Sequence, residues 1–223
     1  KMLTEAGCFG CHEIKGFLDL QKIGPELNNL GVKATAEWYF RWVRNPKDYN
    51  SHTRMPNFRF SNEQSEAITA YLWKIGKEAP YRPQKGISAG GNAARGKELV
   101  ETIGCKGCHV IGDDTRMRQA RGVSYDIAPE LTRAGSKLDP DWAYEWIKNP
   151  RQYRPATRMP SLRLTDQEAR DIVAYLMALK DERQLDQVKV VLDDEAKIKR
   201  GDKLIREYGC TGCHAIKGME KEG

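Results

Sequence analysis

The chain has 223 residues, 39% of them hydrophobic and 30% charged, with a formal net charge of +6 and a mean hydropathy of −0.69. No apolar run approaches the roughly 20 residues of a membrane-spanning helix, and the length suffices for two small domains and part of a third. Lysine and arginine are spread along the chain, so the positive balance reads as a solvated surface and not as a nucleic-acid footprint.

Lys1 to Ala6 reads as the end of a helix that runs into Cys8-Phe9-Gly10-Cys11-His12, followed by a loop closed by Gly24-Pro25-Glu26-Leu27. A middle helix is expected from Thr35, a good N-cap. It stops before Asn45-Pro46, because a proline disfavours helix at its predecessor. A loop carrying Thr53-Arg54-Met55-Pro56 leads to a last helix from Ser61, with Gln64 at the capping-box spacing and Ile68, Leu72 and Ile75 at helical intervals. Gly86 to Asn92, rich in Gly, Ser and Ala, reads as a flexible linker.

The same series then repeats. A helix from Gly96 to Ile103 enters Cys105-Lys106-Gly107-Cys108-His109, and a loop seven residues longer than the first closes at Ala128-Pro129-Glu130-Leu131. The middle helix starts at Asp139-Pro140, cap and first-turn proline, and ends before Asn149-Pro150. Thr157-Arg158-Met159-Pro160 follows, then a last helix from Thr165 with Glu168 three residues on and Ile172, Leu176 and Leu179 along one face. From the middle helix onward the copies share one offset of 104 residues, a repeat architecture. Asp181 to Arg200 is highly charged, with a small apolar knot at Val188, Val190, Val191 and Leu192 that fits strand and helix alike. A third helix from Gly201 to Tyr208 enters Cys210-Thr211-Gly212-Cys213-His214, and nine residues follow. The expected organisation is an all-α fold with domains at 1–84 and 95–183, a linker at 85–94, and at 184–223 a linker with the start of an incomplete third domain. The truncated first helix and the unfinished third series suggest a piece of a longer protein.

The three Cys-x-x-Cys-His motifs use all six cysteines and three of the four histidines. Cys-x-x-Cys-His is the attachment signature of c-type haem. A thioredoxin-like motif needs a βαβ setting, of which the sequence shows no sign. A structural zinc site needs four ligands, where each motif offers three within five residues. The reading is therefore three covalently attached haem c groups, held by Cys8 and Cys11, Cys105 and Cys108, and Cys210 and Cys213. His12, His109 and His214 are the proximal iron ligands. The haem propionates would offset much of the net positive charge.

Met55 and Met159, in matching Arg-Met-Pro loops, are the candidate distal ligands of haems one and two; Met/His ligation raises the reduction potential. Pro25 and Pro129 are candidates to hold the proximal rings, a backbone carbonyl beside each accepting the ring N–H that faces away from the metal. The pairs Trp38 with Trp42 and Trp142 with Trp146, four residues apart on the middle helices, read as packing residues. One indole N–H in each copy is within reason for a propionate. Arg54 and Arg158 are divided between propionate pairing and plain solvation. His52 reads as a solvated loop histidine, since its repeat counterpart is Ala156. No distal methionine follows His214.

These residues resemble the class I c-type cytochromes: a helix, Cys-x-x-Cys-His, a proline-closed loop, a middle helix, a methionine loop and a terminal helix. The resemblance covers almost all of residues 1–180 and the start of another domain from about 196. It implies periplasmic electron transfer, with redox partner proteins or a membrane respiratory complex as partners and further domains or subunits alongside. Two rival readings stand beside it: a multi-haem peroxidase or reductase with haem three as an open site, and a stacking unit of a longer cytochrome assembly.

Overall fold

The computed structural model describes residues 24–50, 53–77, 82–111, 128–155, 157–181, 183 and 188–220. The described residues are helical, without a strand. They divide into two compact units, unit 1 drawn from Lys1–Val32, Ala36–Pro80 and Gln187–Gly223, and unit 2 from Lys33–Thr35 and Tyr81–Asp186.

In unit 1 the middle helix α1 (Ala36–Arg44) buries Ala36, Tyr39, Phe40 and Val43, a stripe at three- and four-residue intervals, with Trp38 buried beside it. Asn45-Pro46 ends it, and the proline then serves as the first residue of a short helix α2 (Pro46–Tyr49). That extra turn is not apparent in the sequence pattern. The last helix α3 (Asn62–Lys77) starts at the expected capping box: Ser61 Oγ accepts from the Gln64 amide, and the Gln64 side chain accepts from the Ser61 amide at 2.9 Å.

Unit 2 repeats this plan behind its own leading helix. α4 (Ala93–Thr102) is capped by the Asn92 side chain, which accepts from the Arg95 amide. α5 (Pro140–Lys148) is capped by Asp139 and buries Trp142, Ala143, Tyr144 and Ile147. The short α6 (Pro150–Tyr153) follows. α7 (Asp166–Ala178) carries the full Thr165–Glu168 capping box. The stretch expected as a flexible linker is fastened down. Asp141 accepts from the Gly86 and Ser88 amides and the Ser88 hydroxyl, and Asp171, buried on α7, accepts from the Asn92 amide at 2.7 Å.

The segment expected to open a third domain, 184–223, behaves otherwise: its described residues pack into unit 1. α8 (Glu195–Glu207), capped by Asp194, buries Ile198, Leu204 and Ile205 and lies along α3. Each such side chain contributes roughly 1.5–3 kcal/mol on burial. The exposed Lys74–Glu195 and Lys77–Asp193 ion pairs at its edge contribute about 1 kcal/mol or less each. Apolar packing therefore holds the helix and the ion pairs adjust its register. The apolar knot is neither helix nor strand, with Val190 in a buried cluster beside Ala36 and Phe40, flanked by Val188, Leu192 and Trp73. The physical reason for the difference is the repeat itself. A helix that matches α4 in sequence fits a core that matches that of unit 2.

Candidate haem-binding sites

In both units a helix delivers the cysteine motif in the same way. α4 and α8 end at Gly104 and Gly209, whose φ values of 99° and 63° are left-handed, the conformation glycine adopts without a Cβ penalty. The chain then turns sharply into a 3₁₀ turn at Cys105–Gly107 and into the short helix α9 (Cys210–Cys213). Each turn sets two thiols close together in sequence and space, ahead of a histidine.

The histidines are held alike. Nδ1 of His109 lies 2.6 Å from the Pro129 carbonyl oxygen, and Nδ1 of His214 lies 2.7 Å from the Pro25 carbonyl oxygen. A carbonyl only accepts, so Nδ1 carries the proton and Nε2 keeps its lone pair for a metal. Burial favours the neutral ring and holds His109 below the ordinary imidazole pKa, against the opposing, upward pull of the Pro129 carbonyl. The Leu131 amide donates to the Val110 carbonyl in unit 2, and the Leu27 amide to the Ala215 carbonyl in unit 1. The Gly24 amide adds a bond to the Cys213 carbonyl.

The methionines lie where the matching loops predicted them, half-buried between the middle and last helices. Trp42 Nε1–H donates to Met55 Sδ at 2.9 Å, and Trp146 Nε1–H to Met159 Sδ at 2.9 Å. Of the two indoles in each copy, one of which the sequence offers to a propionate, Trp42 and Trp146 are engaged with sulfur. Behind it the tryptophans stack, Trp38 on Trp42 and Trp142 on Trp146, with ring centroids 5.2 Å apart in each pair. Tyr49 and Tyr153 pack edge-on against them. Arg54 and Arg158 are exposed. Cys8, Cys11, His12 and His52 lie outside the described residues.

The donors fit a covalent haem. Each described motif offers two thiols outside any disulfide and an imidazole held at Nδ1, and each unit adds a thioether from a second loop. Burial pushes the Cys210 thiol up to about 11 and raises Cys105, so both are neutral thiols at pH 7, a poor match to thiolate redox catalysis. Among the described residues no group of three or more His, Cys, Asp and Glu is arranged to hold a metal ion.

The model of the cytochrome c family matches residues 1–76 and 93–180. The chain belongs to the cytochrome c family. No curated protein and no solved structure matches it. Haem-based electron transfer follows from the family, whose c-type members generally work outside the cytoplasm. No helix among the described residues is long and apolar enough to cross a membrane. The sequence did not reveal the Trp42–Met55 and Trp146–Met159 bonds, although the constant spacing of 13 residues between indole and thioether in both copies was a signal for them.

Proposed function

We propose that this cytochrome passes single electrons between protein partners in the periplasm, on three covalent haems, one for each Cys-x-x-Cys-His motif. It does so as a free carrier or as the cytochrome subunit of a membrane respiratory complex. The observation that supports this best is the duplicated arrangement around Met55 and Met159: an indole-anchored thioether in the same unit as a carbonyl-anchored histidine. In unit 2 His109 and Met159 would hold the iron, with Cys105 and Cys108 as the thioether anchors. In unit 1 Met55 would supply the thioether. The haem, once bound, supplies a one-electron iron couple whose potential is raised by Met/His ligation.

The chain's own residues do the rest. The Pro129 carbonyl fixes the His109 tautomer and increases its basicity. Trp146 holds the Met159 sulfur and withdraws density from it. The stacked tryptophans and buried helix faces keep water from the ligand sphere. His109 and Met159 together would leave the unit 2 haem no open position for a substrate, and electron transfer there would need little rearrangement. The test is a stopped-flow comparison on the haem-loaded protein. Fast one-electron exchange with small redox mediators and no saturable peroxide turnover is expected; rapid, saturable peroxide reduction would contradict the reading.

A further inference from the structure

We propose that the haem centre of unit 1 is assembled from segments far apart in one chain, with His214 as the proximal and Met55 as the distal ligand, in place of a pairing of Met55 with His12. The inference rests on the haem reading above. It begins from an equivalence of positions. His214 meets the Pro25 carbonyl as His109 meets that of Pro129, and Leu27 bonds to Ala215 as Leu131 bonds to Val110. The pairs differ by 104 residues on the acceptor side and 105 on the motif side, so residues 198–216 take in unit 1 the place that 93–111 take in unit 2.

The helix crossing agrees. A Cβ on Gly96 would stand 1.9 Å from the carbonyl oxygen of residue 171, and a Cβ on Gly201 would stand 2.1 Å from that of residue 67, its counterpart one repeat earlier. Both helices approach the last helix closely at the same point. The contact also has polar anchors of its own. Glu66 on α3 accepts from the Val191 amide at 2.8 Å and from Lys197 Nζ at 2.6 Å, and Lys74 Nζ meets Glu195 at 2.9 Å. In unit 2 that task falls to Asp171 on α7, which holds Asn92 and Arg95 ahead of and within α4. The family match over 1–76 runs through Cys8–His12 in sequence order, so two motifs of this chain suit one core, and the proposal names the occupant.

The experiment uses the full, haem-loaded chain as an equal mixture of unlabelled and nitrogen-15-labelled protein, treated with a zero-length carbodiimide at low concentration. Lys197–Glu66 and Lys74–Glu195 cross-links within single-label peptides are expected. Their absence, or their confinement to mixed-label pairs, would overturn closure within one chain. In parallel the far-red sulfur-to-iron band of the ferric protein is followed in three variants. His214→Ala and Met55→Ala should each remove the same share, roughly half if two haems carry a methionine, and the double variant should lose no more than either alone. A band lost with His12→Ala and kept with His214→Ala overturns the pairing and leaves electron transfer standing; no such band in the parent protein overturns both.

Discussion

His109 and His214 are each held at Nδ1 by a backbone carbonyl, and that bond leaves Nε2 as the ring's only coordinating atom. At the other ligand, a hydrogen bond from an indole to a thioether draws electron density from sulfur and disfavours ferric iron. Trp146→Phe removes that bond and keeps most of the ring's packing. The potential of the unit 2 haem should fall by roughly 20–65 mV, because one hydrogen bond nets about 0.5–1.5 kcal/mol and 59 mV is tenfold for a one-electron couple. A redox titration reads this directly, and an unchanged potential would remove Trp146 from the tuning of the centre. Asp171 provides a pH-dependent handle. The Asn92 amide bond is the largest influence on its carboxylate, burial opposes it, and Gln167 and Arg95 add to it, so its pKa is depressed on folding. A depressed folded pKa adds stability that is present above the ordinary carboxylate value and is lost as pH falls through the lower folded one. Asp171→Ala should cost about 1.5–3 kcal/mol near neutral pH, from the lost hydrogen bonds of its charged carboxylate to the Asn92 amide and Gln167. In urea melts the gap to the parent should close progressively below about pH 4; a gap independent of pH would show that the charge is not involved.

At the scale of elements, caps and prolines made the middle and last helices legible. Thr165–Glu168 and Ser61–Gln64 form the boxes their spacing announced, and Asp139-Pro140 starts a helix as expected. The leading helices begin ahead of the expected starts at Gly96 and Gly201. Both glycines lie inside longer helices, where closeness to the last helix outweighs the cost of glycine. The turns after Asn45 and Asn149 escaped notice because a proline that ends one helix also begins the next. The crossing glycines make a clear prediction. Gly201→Ala forces a Cβ into the Ala67 carbonyl and should destabilise unit 1 by about 1–3 kcal/mol or more, with α8 losing amide protection in hydrogen exchange while α4 keeps it. Gly96→Ala should do the reverse. Equal loss in both helices from either change would refute independent docking in the two units.

At the scale of the molecule, the repeat told of duplicated domains, and the family match over 1–76 and 93–180 agrees with a tandem cytochrome c. What the sequence could not tell was where 188–220 packs, because a motif that matches two cores carries no label for either. That choice depends on side chains scattered along the chain, Glu66, Val190 and Lys197 among them, and shows only when they meet. The central claim, that methionine-ligated haems make this chain an electron carrier, is tested most directly by one spectropotentiometric titration of the parent protein beside Met55→Ala/Met159→Ala. The parent should show the far-red sulfur-to-iron band in its ferric state and reversible one-electron couples at raised potential. The double variant should lose the band, with those couples falling by on the order of 0.1 V or more, within the ~0.8 V that axial ligands span. A band and couples left unchanged by both substitutions would contradict the account.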